Sequence, residues 1–408
     1  MELHTKFNTV VISTYTFIYD GIRNSNSGPV VPLINYFVPR AETLYLLEQP
    51  LPGSDFTDTR VTVFHEGKTE EKIIKNHFSP WRAQKRLNSN KTYIGLKIRD
   101  VFSNFTFLAD NYKHLKADLF IGLECINALF GVFLKHLGLA KKVVYYIFDW
   151  APDRYKNPLM NNTYIWLDKM ATYHCDYTWN ITYTIEEAKK NILNFSPKKM
   201  SRQLYVPYCV DFDKRRILKN DEINGNLIVY AGGLIEENGP QILIEAFRII
   251  LERFPEAKLL IIGGGHMEAA LRNRVSVCGM DGSVEITGYI KEDERVTELQ
   301  RRGAVGVAPY PIIKGSRKPF GDVIKIRVYF SCGLPVVSTP VPPVTKEIAQ
   351  ERLGLVTEND SPESLAAAIS TFLSDKDFLY QTRERVIEKA MKSTWDENFN
   401  SALKEMEY

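Results

Sequence analysis

Short apolar runs alternate with longer stretches of helical period over most of the chain. In the second half, β-branched runs at 227–231, 258–262, 284–287, 304–308, 335–338 and 355–356 predict strands. Helical patterns at 240–253, 267–277, 293–301, 323–331, 343–350 and 362–374 fill the gaps. Strands that alternate with helices of this length predict βαβ units and a parallel sheet. The runs are almost wholly apolar, as a sheet covered on both faces requires. The first half keeps the rhythm more loosely. It has strands at 10–14, 43–47, 60–64, 118–123, 143–148 and 177–182, and helices at 130–137, 164–174 and 185–193. Residues 68–99 show no firm pattern and read as an inserted loop.

The segment Val206-Pro207-Tyr208-Cys209-Val210-Asp211, followed by a polar stretch at 213–226, marks a boundary. The expected fold class is α/β, with two doubly wound, Rossmann-like parallel-sheet domains. They are residues 1–210 and 211–391, with a last helix at about 392–408 packing back on the first. Two such domains are expected to face each other across a cleft, with ligands at the carboxyl ends of the strands.

Composition narrows the class. The chain has 408 residues, 44% hydrophobic and 25% charged, which excludes a disordered or collagen-like chain. Five cysteines lie scattered without a Cys-x-x-Cys pair, so no disulfide framework or zinc site is encoded. That usage reads as a reduced, cytoplasmic protein. The seven histidines show no metal-binding spacing, so no metal is expected. No apolar run is long enough for a membrane span.

The net charge of +3 hides an asymmetry, because residues 1–210 carry 26 Lys and Arg against 19 Asp and Glu. Between Lys72 and Arg99 there are eight basic residues and no acidic one, with Phe78, Trp81 and Tyr93 interleaved. Such a stretch fits an anionic membrane surface or a phosphorylated substrate. A solvated loop and helix face is the plainer alternative. No nucleic-acid partner is expected.

Three features in the second half carry chemistry. Gly232-Gly233 ends the strand at 227–231, where a glycine pair lets backbone amides approach a phosphate. A tight turn is the alternative. Gly263, Gly264 and Gly265 repeat the arrangement after 258–262, without the full spacing of a dinucleotide fold. Gly321-Asp322 opens a helix whose first turn holds Lys325 and, beyond it, Arg327. Free amides, the positive dipole end and a lysine together make a diphosphate site. The alternative has Asp322 as an N-cap and Lys325 solvated.

In the first half, Asp149 follows an apolar strand directly, with Trp150 beside it offering a flat face for a sugar ring. Glu124 follows the strand at 118–123 in the same way. An ionisable group at the carboxyl end of a parallel strand is a catalytic candidate. An N-cap role for Asp149, or a pair with Arg154, is equally open.

The order of these pieces resembles the family-4 (group 1) glycosyltransferases of the GT-B fold. Val206–Asp211 is similar to the family's interdomain "pro-asn-gly-val-asp" segment. Val284-Glu285-Ile286-Thr287-Gly288 is similar to a strand after which the backbone, here at Tyr289, holds the nucleotide base. The run at 304–309, the turn from Cys332 to Thr339, and Trp395 with the last helix follow in family order. The likeness covers residues 206–400 well and the first half loosely. The loop after the first strand, with Gly28, stands where relatives have a glycine-rich turn.

The chain also departs from the family. Gly233 and Asn238 stand at the positions of an Arg and a Lys that grip the donor diphosphate, and Phe320 and Val328 at those of two Glu. The grip is then either rebuilt with Lys325, Arg327 or Asp322, or reduced. The resemblance implies transfer of a sugar from a nucleotide diphosphate sugar to a glycan or lipid-linked acceptor, with retention and without a metal or other cofactor. It places the protein in the cytoplasm, at the inner face of the cell membrane. Rivals are a non-catalytic GT-B scaffold or partner subunit, a phosphorylase and an epimerase. An NAD enzyme fits the glycine spacing least.

Overall fold

The structure is a computed structural model that describes residues 7–19, 22–23, 28–51, 54, 56–75, 90–210, 212–213 and 216–408. The chain divides into two units, Met1–Pro207 with Asn398–Tyr408, and Tyr208–Glu397.

The first unit begins with β1 (Phe7–Thr16), the two-residue strands β2 (Ile18–Tyr19) and β3 (Ile22–Arg23), and α1 (Val30–Phe37). It continues with β4 (Ala41–Pro50), β5 (Thr59–His65), β6 (Lys68–Ile74), α2 (Asn90–Asn111), β7 (Ala117–Leu123) and α3 (Cys125–His136). It closes with β8 (Ala140–Ile147), α4 (Pro158–His174), β9 (Tyr177–Asn180), α5 (Tyr183–Asn191) and β10 (Arg202–Tyr205). Its main sheet runs β10-β9-β8-β7-β1-β4-β5-β6. From β10 to β4 every pairing is parallel. Buried runs such as the seven residues of β7 follow from helices on both faces.

Two expectations are corrected here. The sheet is not purely parallel, because β4, β5 and β6 pair antiparallel. The stretch from 68 to 99 is not one loop, because β6 and α2 take up most of it. Both corrections have a local cause. Glu66 and Gly67 adopt φ of 47° and 75°, the left-handed pair of a tight hairpin turn. That turn, joining β5 to β6, leaves no room for a crossover helix. The strand was hidden because six of its seven residues are exposed and five of those six are polar.

The second unit has β11 (Leu227–Ala231), α6 (Pro240–Arg253), β12 (Lys258–Ile262), α7 (Glu268–Val277), β13 (Val284–Ile286) and α8 (Asp293–Arg301). After these come β14 (Val305–Ala308), α9 (Ile324–Ser331), β15 (Val336–Ser338), α10 (Thr345–Gln350), β16 (Gly354–Val356), α11 (Pro362–Ser374) and α12 (Lys376–Lys392). The all-parallel sheet runs β13-β12-β11-β14-β15-β16. This is the doubly wound order whose direction reverses between its first and fourth strands, here β11 and β14. Successive residues of β11 serve both faces. Ile228 and Tyr230 enter the core with Leu243 of α6 and Ile369 of α11. Val229 and Ala231 enter the core with Ile326 of α9 and Ile348 of α10.

The last helix, α13 (Trp395–Glu405), straddles the division. The first division falls after Pro207, where the sequence suggested 210, and the return begins at Asn398, where it suggested about 392. From Asn398 on, the helix packs on the first sheet. Phe399 stacks on Trp179 at 6.0 Å and meets Tyr36 edge-on at 5.2 Å. Tyr36 donates to Asn400 Oδ1 at 2.5 Å, and Tyr408 donates to the Asp118 carbonyl at 2.7 Å. Phe399 is fully buried. Phe399→Ala is therefore expected to destabilise the first unit by about 3–5 kcal/mol. The check is denaturant unfolding followed through the tryptophan signal, with the second unit's transition unmoved.

Candidate functional site

The reversal point of the second sheet is where the chemistry gathers. A Tyr329 hydroxyl from α9 accepts the Ala231 amide at 2.8 Å and donates to the Val307 carbonyl at 3.2 Å, bridging β11 and β14. Gly306 makes room for that ring, since a Cβ there would overlap it. Beyond this bridge, β11 turns through Gly232, at φ 153°. A Cβ on Gly232 would sit 2.7 Å from Lys325 Nζ, so the glycine admits the lysine to the turn.

Lys325 Nζ is out of contact with solvent and has no hydrogen-bond partner among the described residues. It lies over the rings of Tyr230 and Tyr310, at 4.3 and 4.9 Å. Two aromatic faces offset only part of its lost hydration. Burial, with the nearby Lys318 ammonium, pulls its pKa down to about 7. A fall of that size from 10.5 corresponds to on the order of 5 kcal/mol against the charged form.

Lys318 also lies over Tyr310, 5.0 Å from the ring, and donates to Asn238 Oδ1 at 2.9 Å. Burial lowers its pKa too. Asn238 in turn donates to the Gly233 carbonyl at 2.9 Å. Positions 233 and 238 themselves carry no charge, yet two ammonium groups stand beside the turn. Lys318 was missed in the sequence as a site residue. Its one signal was its place at the head of the Gly321 motif.

Several expected donor-site residues have other work. Asp322 accepts the Tyr208 amide at 2.9 Å and pairs with Arg327 at 3.3 Å. Arg327 also pairs with Glu347 at 2.8 Å, and Glu347 with Lys389 at 2.7 Å. Burial raises the Asp322 pKa, and Glu347 stays below its ordinary value because Arg327 and Lys389 outweigh its burial. Asp322 and Arg327 are thus buried struts that tie α9 to α10 and α12, because each charge needs its partner in a dry interior. Gly263 and Gly265 are glycines because Cβ atoms there would meet the carbonyls of Gly232 and Leu234. The Gly263 amide is spent on Gly288. Gly264 abuts Tyr289. Tyr289 is 79% exposed, after Gly288 at φ 72°. A Cβ at Gly321 would meet only the Arg317 carbonyl, at 4.0 Å.

In the first unit, Glu124, Asp149 and Arg154 come together. Arg154 pairs with Asp149 at 3.0 Å and with Glu124 at 3.4 Å, and its guanidinium also donates to the Asp149 carbonyl. The Asp149 side chain is 52% exposed. Glu124 caps α3 with φ 73° and ψ 155°, a strained conformation for a residue with a side chain. Burial raises its pKa, against the pull of Arg154 and Lys97.

Trp150 offers no open face, being 2% exposed. Its indole donates to Asp168 at 3.1 Å, and Tyr145 and Lys189 reach the same carboxylate at 2.8 Å each. This buried hub had no sequence signal, because its members lie on three separate elements and a loop. Gly28 serves packing, since a Cβ there would strike the Phe148 ring.

The basic stretch is not a uniform surface. Arg99 is 3% exposed and bonds Asp100 and the Pro50 carbonyl, because a buried guanidinium must be paired. Lys97 lies over the Tyr15 ring at 3.6 Å, and Lys72 pairs with Asp110 at 2.7 Å. Phe78, Trp81, Arg82, Lys85 and Arg86 lie outside the described residues. Among the described residues no three His, Cys, Asp or Glu side chains converge to hold a metal, and no helix is long and apolar enough to cross a membrane.

Comparison with known proteins bears on the family of the second unit and on the fold. Residues 212–393 match the family profile described as glycosyl transferases group 1. A D-inositol 3-phosphate glycosyltransferase from Jonesia denitrificans is 27% identical over 186 residues, 44% of this chain and 42% of its own. An uncharacterized glycosyltransferase from Methanocaldococcus jannaschii is 23% identical over 224 residues, 51% of each chain. The chain thus spans about half the length of these curated relatives, or less. Over whole chains, the Anabaena HepE protein in complex with UDP superposes with a TM-score of 0.63 at 12% identity, covering 98% of this chain and all of that one. The sucrose-phosphate synthase of Thermosynechococcus elongatus gives 0.63 at 13% identity, covering 98% and 99%. The second unit thus resembles the group 1 glycosyltransferases over residues 212–393, and the chain has the GT-B fold.

Proposed function

We propose that this chain moves a sugar from a nucleotide diphosphate sugar to a glycan or lipid-linked acceptor. One observation carries the reading: the Lys325 ammonium, buried and without a hydrogen-bond partner, beside Lys318 at the turn after β11. A diphosphate supplies the acceptor that Lys325 lacks, and charge-assisted bonds in a dry site are strong. The Gly232-Gly233 turn lets the phosphates approach the backbone. In this reading the two lysines replace the family's cations at 233 and 238. They neutralise the leaving diphosphate without a metal. Retention at the anomeric carbon follows the family resemblance. Asp149 and Glu124 are assigned to the acceptor side, where a carboxylate orients a hydroxyl or stabilises charge at the anomeric carbon. Arg154 holds both.

Thermal-shift screening against UDP, GDP and ADP and their sugars tests the reading. A ligand at 100 times its dissociation constant adds about 2.7 kcal/mol. No saturable binding of any of them leaves the scaffold alternative. Lys325→Met is expected to weaken the nucleotide by roughly 1.5–3 kcal/mol, about ten- to a hundredfold. Unchanged affinity removes Lys325 from the site.

The sign of the pH dependence follows from the lysine. Below about pH 7 Lys325 is charged in the free protein, and above it the anion must draw in a proton. Nucleotide affinity is therefore expected to fall as pH rises from 7 to 9, with proton uptake on binding seen by calorimetry in buffers of different ionisation heat. Lys325→Met flattens that slope.

Turnover is expected to survive EDTA. Loss in EDTA with recovery on adding magnesium or manganese would overturn the metal-free assignment. Asp149→Asn is expected to lower turnover on the order of 10²-fold, the scale of one electrostatic stabiliser. A wild-type rate would leave Asp149 only as the brace of Arg154.

A further inference from the structure

The first unit contains a pocket of about 650 Å³ between α2, α3 and α4. Its walls are apolar, among them Val101, Phe105, Leu129, Phe130 and Leu167. Its volume is in the range of small-molecule sites. Around it the apolar surface continues outward, with Phe102 57% exposed, Phe105 47% and Leu159 77%. Large apolar side chains clustered at a pocket in this way mark a binding surface rather than scattered exposure.

Charge gathers in one part of the lining, at Glu124 and Lys97. Glu124 is held at φ 73° at the start of α3. A strained residue at the head of a pocket is a feature that the surrounding structure has to maintain. The charges there are already balanced. Lys97 has Asp100 at 3.8 Å, and Arg154 has Glu124 at 3.4 Å and Asp149 at 3.0 Å. Of these carboxylates only Glu124 lines the pocket, and both it and Lys97 already face a partner among the described residues, so a phosphate there would have to displace one. A hydroxyl or amide meets both donors and acceptors. An extended peptide strand fits less well, because its backbone groups would need partners along the walls, which offer few.

We propose that this pocket binds the hydrocarbon chain of an amphiphilic lipid, with the lipid's uncharged, hydroxylated head at Glu124 and Lys97. The inference concerns binding by the first unit and stands whether or not the chain transfers sugar. Under the transfer reading it narrows the acceptor to a neutral lipid whose hydroxyl is presented beside Glu124 and Asp149.

The experiment uses the full chain and an uncharged fluorescent probe, N-phenyl-1-naphthylamine, displaced by 1-tetradecanol or by tetradecyl phosphate. Saturable probe uptake is expected, with the alcohol displacing it at lower concentration than the phosphate. Leu129→Trp fills the pocket and is expected to weaken the alcohol by about tenfold or more, the equivalent of excluding two methylenes. Phe102→Glu, at an exposed position that the fold tolerates, is expected to weaken it as well. Circular dichroism shows that each variant is folded.

No saturable uptake, or uptake equal in wild type and both variants, overturns the pocket. Tighter displacement by the phosphate overturns the neutral head. UDP affinity, read on the same samples, separates the two readings. Nucleotide binding without alcohol binding defeats this inference alone. Alcohol binding without nucleotide binding defeats the transfer reading alone.

Discussion

An ammonium group taken out of water without a hydrogen-bond partner is costly, and the second unit is arranged around one. Lys325 reaches the end of β11 because Gly232 has no side chain and because Tyr230 and Tyr310 supply ring faces. Its helix is fixed in turn. Tyr329 bonds both strands at the sheet's reversal point, and Arg327 ties the helix to Asp322 and Glu347. Each residue of α9 named here is spent on holding Lys325 where the sheet opens. A parallel sheet leaves unpaired backbone and a crevice at that point, which is where such folds take ligands.

The two units use buried charge differently. In the second, the chain Asp322–Arg327–Glu347–Lys389 runs behind the site and sets the position of α9. In the first, Asp168 collects Trp150, Tyr145 and Lys189 below the strand end that carries Asp149. Neither network touches solvent freely. Each costs desolvation and gives positional precision in return, since a half-satisfied network is worse than an apolar core. The residues they support are short and few: one lysine on one side, and the Glu124–Arg154–Asp149 group on the other.

The motif of the family that the second unit resembles is altered in this chain, and under the proposed reading nearby lysines stand in for the missing cations. Gly233 and Asn238 replace two cations, yet Lys318 bonds the side chain of Asn238 and Lys325 fills the space beside Gly232. The two ammonium groups stand on the segment leading into α9 and in the first turn of that helix. Position along the chain differs while position near the turn is retained. Motif matching compares the first and is blind to the second.

The second sheet was legible in sequence because every strand is a short apolar run bounded by turns and every helix has an amphipathic period. All six of its strands and the glycine turns could be read that way. The antiparallel edge β5–β6 was only half legible, because β6 is polar and exposed and makes no hydrophobic pattern. Of the candidate site, Lys325 and the Gly232 turn were legible, since both sit at fixed offsets from strand and helix ends. The burial of Trp150, the strut role of Asp322 and Arg327, the inward turn of Arg99 and the arrival of Lys318 were not. Sequence determined which side chains stand at the ends of strands, because periodicity and turn residues fix local structure. Only the tertiary structure decided which of those charges find a buried partner and which is left without one, because that depends on residues brought together from distant parts of the chain.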